Sequence, residues 1–298
     1  MRVPRFSFGS IRSHPPHSRV RPVSLEDRVV GCVVGLALGD ELGSGGGEPT
    51  ALARNLVRSL GERGGFDPDD VVARHLAWFR TEPPDVESVT RTVLRRVADG
   101  APAADAARAV WEERGPEVSA GNGSVMYCAP LGAAYANRPD ELFELAPALS
   151  ALTHFDGRCR TAVLAVTLAT AALVRGEPPA SAVTAAVLAT LPFEGGEELE
   201  FLVDAVGHER RIDGPDQGFC LFAAAAGLQA AASGEPFEPA SRRVIALGGD
   251  TDANGAIAGA LLGAVAGRSG LPGAWVDSLE DAAEMVQEAE ALVPLAEL

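Results

Sequence analysis

Apolar residues recur along this chain at intervals of three and four, and no stretch alternates with period two over the length of a strand, so the pattern predicts helices from end to end. Ser24 with Asp27 three residues on is a capping signal for a first helix at 25–38, on which Val29, Val33, Leu36 and Ala37 follow helical spacing. A glycine-rich loop is expected at 43–47, then a helix at 51–65 capped by Thr50 and stopped by Gly64 and Gly65. Asp67 caps the next, with Pro68 in its first position, and carries it to 80; others are predicted at 85–98 and, beyond Pro102, up to Arg114. After a break at 115–119, a glycine loop feeds a helix in AGNGSVMYCAPLGAAYA. Later helices fit 140–152, 158–175, 180–190, 197–207, 219–232, 239–246, 251–267 and 277–292.

Connections are short, no fixed-period repeat is present, and no long linker divides the chain after residue 25. The expected fold is all-α, a compact orthogonal multi-helix bundle forming a single helical domain over 25–298. Residues 1–24 hold five arginines, several prolines and no acid. They lack the apolar segment of a signal peptide and are expected to be a disordered leader. The apolar run at 161–174 falls short of the roughly 20 residues that span a bilayer, so it is expected to be a buried helix and no membrane is expected as a partner.

Composition narrows the partners. With 298 residues, 47% of them hydrophobic, the chain has ample material for a core. Its net charge is -16 and every base is arginine, which argues against nucleic acid as a main partner while leaving room for a local basic site that takes an anion. Cys32, Cys128, Cys159 and Cys220 are scattered singly, with neither a metal spacing nor a disulfide framework, so a reducing cytoplasm is the expected location.

The most unusual stretch is 248–264, GGDTDANGAIAGALLGA, in which Asp250 and Asp252 stand where two glycines turn into a small-residue helix suited only to close packing. Two neighbouring carboxylates on the lip of a core helix repel each other and resist burial, which suggests a cation; their hard oxygens suit Mg²⁺, Mn²⁺ or Ca²⁺. The same spacing is open to a plainer reading, an aspartate N-cap. Three polar glycine loops, at 40–50, 120–124 and 248–252, each end where a helix begins, and free N–H groups there suit a phosphate-bearing ligand; singly, each is as readily a tight connection.

Taken together and in order, three blocks resemble the ADP-ribosylglycohydrolase family: DRVVGCVVGLALGDELG, then GNGSVMYCAPLGAAYA with SALTHFDGRC, then GGDTDANGAIAGALLGA. The resemblance covers about residues 25 to 285. It implies an all-helical hydrolase that uses Mg²⁺ or Mn²⁺ to cut the glycosidic bond between ADP-ribose, or a related ribosyl nucleotide, and a modified protein side chain or small acceptor. Residue by residue, it implies metal ligands at Asp250 and Asp252. Ligand-binding positions fall at Asp40, Gly121, Asn122, Gly123, Ser124 and His154, and catalytic roles at Asp252 and Glu48. Glu48 stands either where the family has its loop glutamate or in place of a missing aspartate, a solvated loop glutamate being equally open. For His154, the residue pattern alone leaves a self-satisfied core histidine equally open.

The chain departs from that family at its first metal half, a Thr-Asp-Asp run before the second helix; here Gly47 passes through Glu48, Pro49 and Thr50 straight into the helix, and Ala253 replaces a hydroxyl ligand. Mg²⁺ wants six oxygens, so one ion is expected rather than two, or none. The alternative function is an inactive family member that binds ADP-ribose or a nucleotide as a sensor or interaction module. Glu197, Glu198 and Glu200 are expected to be a solvated helix face, His75 and Trp78 ordinary packing, and His208 to Arg211 a surface turn. Tyr127 stands where the family often carries arginine, a change that bears on what the pocket accepts.

Overall fold

The computed structural model describes residues 22–190, 196–207, 212 and 218–298, with 196–199 described by backbone alone. The leader at 1–21, the side chains of Glu197 and Glu198, and the turn at 208–211 therefore lie outside the described residues. The described chain is all-α. Its helices are α1 (Leu25–Ser44), α2 (Glu48–Arg63), α3 (Pro68–Phe79), α4 (Ser88–Ala98), α5 (Ala103–Arg114), α6 (Ala129–Ala134), α7 (Leu142–Ser150) and α8 (Gly157–Val174). They continue with α9 (Pro179–Ala189), α10 (Gly196–Val206), α11 (Cys220–Ala232), α12 (Phe237–Ile245), α13 (Thr251–Ala266), α14 (Gly273–Val276), α15 (Ala282–Glu290) and α16 (Val293–Glu297). Among the described residues the only β pairing is an isolated antiparallel bridge between Gly121 and Phe219.

Two helices form the axis of the bundle. Gly31, Gly35, Gly39 and Gly43 recur every fourth residue on α1, and Gly255, Gly259 and Gly263 do so on α13, so each helix carries a flat stripe with no side chain. The stripes meet in antiparallel register: a Cβ added at Gly35 would collide with the carbonyl oxygen of Gly259, one at Gly39 with that of Gly255, and one at Gly263 with that of Gly31. The ends are fastened as well. Arg28 donates to the carbonyls of Ala264 and Val265 at 2.8 and 2.6 Å, and Thr251 Oγ1 donates to the Gly43 carbonyl at 3.1 Å.

This packing overrides local signals in the first loop. α1 runs on to Ser44 instead of ending near 38, because the glycines that disfavour helix in isolation are held helical against α13. Only Gly45, Gly46 and Gly47 remain between α1 and α2, and Thr50 is a helical residue, not a cap. The capping is done by Asp40 from inside α1, whose Oδ2 accepts from the N–H groups of Gly47 and Thr50 at 3.0 Å each and from the Thr50 hydroxyl at 2.5 Å. Further along, α4 begins at Ser88 with Glu87 as its cap, three residues later than its spacing suggests, since Pro83 and Pro84 precede it. Near the C-terminus the expected helix at 277–292 is shorter, α15 from Ala282 to Glu290, with a turn at 277–281 that follows the short α14.

α8 is long and apolar enough to cross a membrane by length and composition, but 83% of that window is buried within the fold, where α6, α7, α9 and α11 cover it. All four cysteines are buried and free.

Replacing Gly35 or Gly259 by alanine brings a gain in helix propensity of about 1 kcal/mol and a clash with backbone that no side-chain rotation relieves. The clash outweighs the gain, and each variant is expected to lose about 1–3 kcal/mol in denaturant unfolding. Gly273 has open space around its Cβ direction, and Gly273→Ala is expected to stay within about 0.5 kcal/mol of the parent. A Gly35→Ala protein as stable as the parent would contradict the backbone contact.

Candidate active site

The antiparallel α1–α13 contact places the C-terminal end of α1, the N-terminus of α2 and the N-terminus of α13 at one end of the bundle. There they surround a cavity of about 190 Å³. Its wall includes Gly46, Gly47 and Glu48 from the first connection, Asn122 from the central glycine loop, and Asp250 and Asp252 from the third, so all three loops meet in one place. Asp85 and Glu87, from the segment between α3 and α4, complete it. The wall therefore carries Glu48, Asp85, Glu87, Asp250 and Asp252 and no basic residue.

Asn122 ties the central loop to α13. Its amide donates to Asp250 Oδ2 at 2.9 Å, while its main-chain N–H donates to the Gly218 carbonyl at 3.0 Å beside the Gly121–Phe219 bridge. Asp250 occupies the N-cap position of α13, yet its side chain makes no capping hydrogen bond. Burial, with the adjacent Asp252 adding to it and Asn122 opposing, pushes the Asp250 carboxyl up to about 7.

Glu48 is the first residue of α2 and is buried. Its Oε2 accepts from the Glu87 N–H at 2.6 Å, and its Oε1 has no hydrogen-bond partner. Burial pushes this carboxyl up to about 8, with Glu87, Asp85 and Asp252 adding like charge and the Glu87 N–H opposing. The helix dipole at this position favours the charged form by about 2 kcal/mol at most, too little to reverse that balance. Burial thus biases Glu48 toward its protonated form at neutral pH.

Glu87, absent from the residues that the sequence singles out, has the opposite character. Burial works to raise its carboxyl, but His154 and the N–H groups of Val89 and Thr90 outweigh it and bring it down to about 2. Thr90 N–H donates to Oε2 at 2.7 Å, and His154 Nε2 stands 3.5 Å from the same oxygen. The one available signal was a carboxylate three residues ahead of Thr90 at a helix start, which reads as a cap.

The other residues marked by the sequence divide into those on the cavity wall and those behind it. Asn122, Glu48, Asp250 and Asp252 line it; Asp40, Ser124 and His154 do not. Asp40 is buried beneath Glu48 as the cap of α2, and burial raises its carboxyl despite the hydrogen bonds from Thr50 and Gly47. Ser124 Oγ is 3.0 Å from Ser150 Oγ in the core. His154 is fully buried under the central loop, its Nδ1 2.9 Å from Thr153 Oγ1. Gly121 and Gly123 are small so that this loop can lie on the histidine: a Cβ at Gly123 would come within 2.7 Å of His154 Cε1. Tyr127 is also fully buried, its ring edge-on to that of His75 at 5.2 Å, and away from the wall.

A wall whose charged residues are all acidic, an unpartnered Glu48 oxygen and an Asp250 carboxyl raised by burial and by Asp252 fit a hard divalent cation, which would relieve the repulsion between the two aspartates. Among the described residues no three acidic, histidine or cysteine side chains converge as a ligand set, so protein donors other than Asp250 and Asp252 would give way to water.

Comparison with known proteins agrees with the fold. Residues 21–298 match the family model described as ADP-ribosylglycohydrolase. Over 92% of this chain and 98% of the relative, the sequence is 25% identical to ADP-ribosyl-[dinitrogen reductase] glycohydrolase of Rhodospirillum rubrum. A solved structure, an ADP-ribosylglycohydrolase-related protein complex, superposes with a TM-score of 0.75 at 31% identity, covering 92% of this chain and 99% of that one.

The Glu48 carboxyl binds its proton more tightly folded than unfolded, so from about 4.5 to about 8 the native state holds the extra proton. The contribution of Glu48 to stability is therefore complete below 4.5 and is lost as pH rises through 8. In chelator, the stability of the parent relative to Glu48→Gln is expected to fall between about pH 5 and about pH 9, read from denaturant midpoints at both. A difference that grows with pH would contradict the assignment.

Proposed function

The chain belongs to the ADP-ribosylglycohydrolase family, and on that premise we propose that it hydrolyses the glycosidic bond joining an ADP-ribosyl group to a protein side chain or small acceptor. The observation that carries this reading is the pair of glutamates on one cavity wall with opposed protonation, Glu48 protonated and Glu87 ionised. Environments that push two carboxyls apart are the arrangement from which an acid and a base are drawn. A cavity of about 190 Å³ is smaller than the roughly 300 Å³ at which sites for drug-sized ligands begin. It therefore admits the ribosyl group at the scissile bond, with the nucleotide lying outward across the glycine loops.

In the reaction, the bond from the anomeric carbon to the acceptor breaks and the leaving atom takes the proton from Glu48. Positive charge grows at the anomeric carbon and is stabilised by the acidic wall. Water adds its oxygen to that carbon and gives its proton to a carboxylate of the wall, Glu87 or Asp252. Asn122 holds Asp250 in place, and His154 holds Glu87. Asp250 and Asp252 would hold one Mg²⁺ or Mn²⁺, which when bound polarises and orients water and ribose hydroxyls. The R. rubrum relative is named for an ADP-ribosylated protein, dinitrogen reductase; an ADP-ribosylated protein is the substrate class proposed for this chain too.

A second reading, a family member that binds ADP-ribose as a sensor without turnover, draws its support from Ala253 and from the lack of a converged three-ligand set among the described residues. The two separate on one protein preparation. With Mg²⁺ or Mn²⁺, ADP-ribose is expected to be released from ADP-ribosylated arginine or serine, and Glu48→Gln is expected to cut kcat by about 10²–10⁴-fold while ADP-ribose affinity changes little. Binding without turnover or metal dependence would favour the sensor; neither binding nor turnover would end both readings.

Since a ligating carboxylate must be ionised, the rise in Tm on adding Mg²⁺ or Mn²⁺ is expected to be larger above pH 7 than below it. It is expected to vanish in Asp252→Ala. An equal rise on both sides of that pH would show that Asp250 takes no part.

A further inference from the structure

The segment between α3 and α4 has two sides. Asp85 and Glu87 face the acidic cavity, while Arg80, Glu82 and Pro83 line a separate hollow of about 480 Å³ whose remaining wall includes Phe79, Arg91 and Arg95. In a chain of net charge -16, many of the described arginines pair with a carboxylate, Arg54, Arg63, Arg74 and Arg96 among them. Among the described residues, Arg80, Arg91 and Arg95 form no ion pair, and Arg91 donates only to the Val86 carbonyl, at 3.2 Å. Glu82, which lines the same hollow, is not paired with any of them, and its backbone has φ 58, a left-handed conformation that a residue with a side chain rarely adopts.

Two local rules are broken here at once. Arg91 and Arg95 stand four apart on α4, a like-charge spacing that destabilises a helix by about 0.2–0.5 kcal/mol. Arg80 and Arg95 lie at helix C-termini, where the dipole returns about 0.3–1 kcal/mol each. That compensates their charge but does not explain why three arginines and a phenylalanine line one hollow. Guanidinium forks match phosphoryl oxygens in pairs, and the hollow falls within the roughly 300–1,000 Å³ of small-ligand sites.

We infer that this hollow is an anion site for the phosphoryl groups of a nucleoside diphosphate, gripped by Arg80, Arg91 and Arg95 with Phe79 beside the base. It stands across one short segment from the acidic cavity, so an anion bound there neighbours the residues that carry Asp85 and Glu87. The site does not depend on hydrolase activity, and neither does its test.

Isothermal titration of the full-length protein in chelator and low salt, with ADP and with inorganic pyrophosphate, is the direct measurement. Saturable binding of both is expected, ADP the tighter, weakening as salt is raised. The double variant Arg91→Gln/Arg95→Gln, with its circular dichroism unchanged, is expected to bind at least about tenfold more weakly. Asp252→Asn, on the cavity side, is expected to leave the affinity as it was. No saturable binding at millimolar anion, or equal binding by parent and double variant, would overturn the inference. So would binding of pyrophosphate without ADP, or of an acidic peptide in preference to either.

Discussion

The contact on which this structure depends is the one between the bare backbones of α1 and α13. Where most helix pairs are held apart by side chains, these two approach until each glycine of one lies over a carbonyl of the other. Each glycine in a helix costs about 0.5–1 kcal/mol relative to alanine, so the stripes are unfavourable locally and are held only by what close approach brings. The gain is dispersion between closely packed backbones, sealed by the apolar residues that flank both stripes. A further consequence is positional. Antiparallel glycines every four residues set the register of the pair, and that register carries Gly43 to the carbonyl of Thr251 and hence the end of α1 to Asp252.

Electrostatics at the site follow from that geometry. Helix termini converge on the cavity with five carboxyls on its wall, in a chain already strongly acidic. Such a group of acids cannot all ionise, and the surroundings decide which do. Glu48 has a single N–H to offset its burial and keeps its proton; Glu87 has Thr90 N–H and the neighbouring imidazole, and loses it. The difference between acid and base here is a difference of one or two hydrogen bonds. Asp40 caps α2 from inside α1 without touching the cavity, accepting from the N–H groups of Gly47 and Thr50.

Much of the helical framework was legible because helix caps and prolines act locally: Ser24 and Asp67 cap the helices that follow them. The first connection was not legible, since GDELGSGGGEP reads as loop when each glycine is judged by its own propensity and only α13 makes the glycines of α1 helical. The four-residue glycine spacing was present in both blocks, but a stripe does not name its partner. Glu87 was hidden for a related reason: its sequence neighbours make it a cap, and only the fold puts His154, 67 positions away, beside it.

From composition, periodicity and three ordered motifs, the sequence alone determined an all-helical chain, its family, and Asp250, Asp252, Asn122 and Glu48 as residues to watch, since those signals are short in range and survive without coordinates. Which carboxyl keeps a proton, which marked residues stand behind the cavity wall instead of on it, and which arginines are left without partners were decided only in the tertiary structure. Burial and through-space charge depend on neighbours far apart in the chain, and no window of sequence contains them.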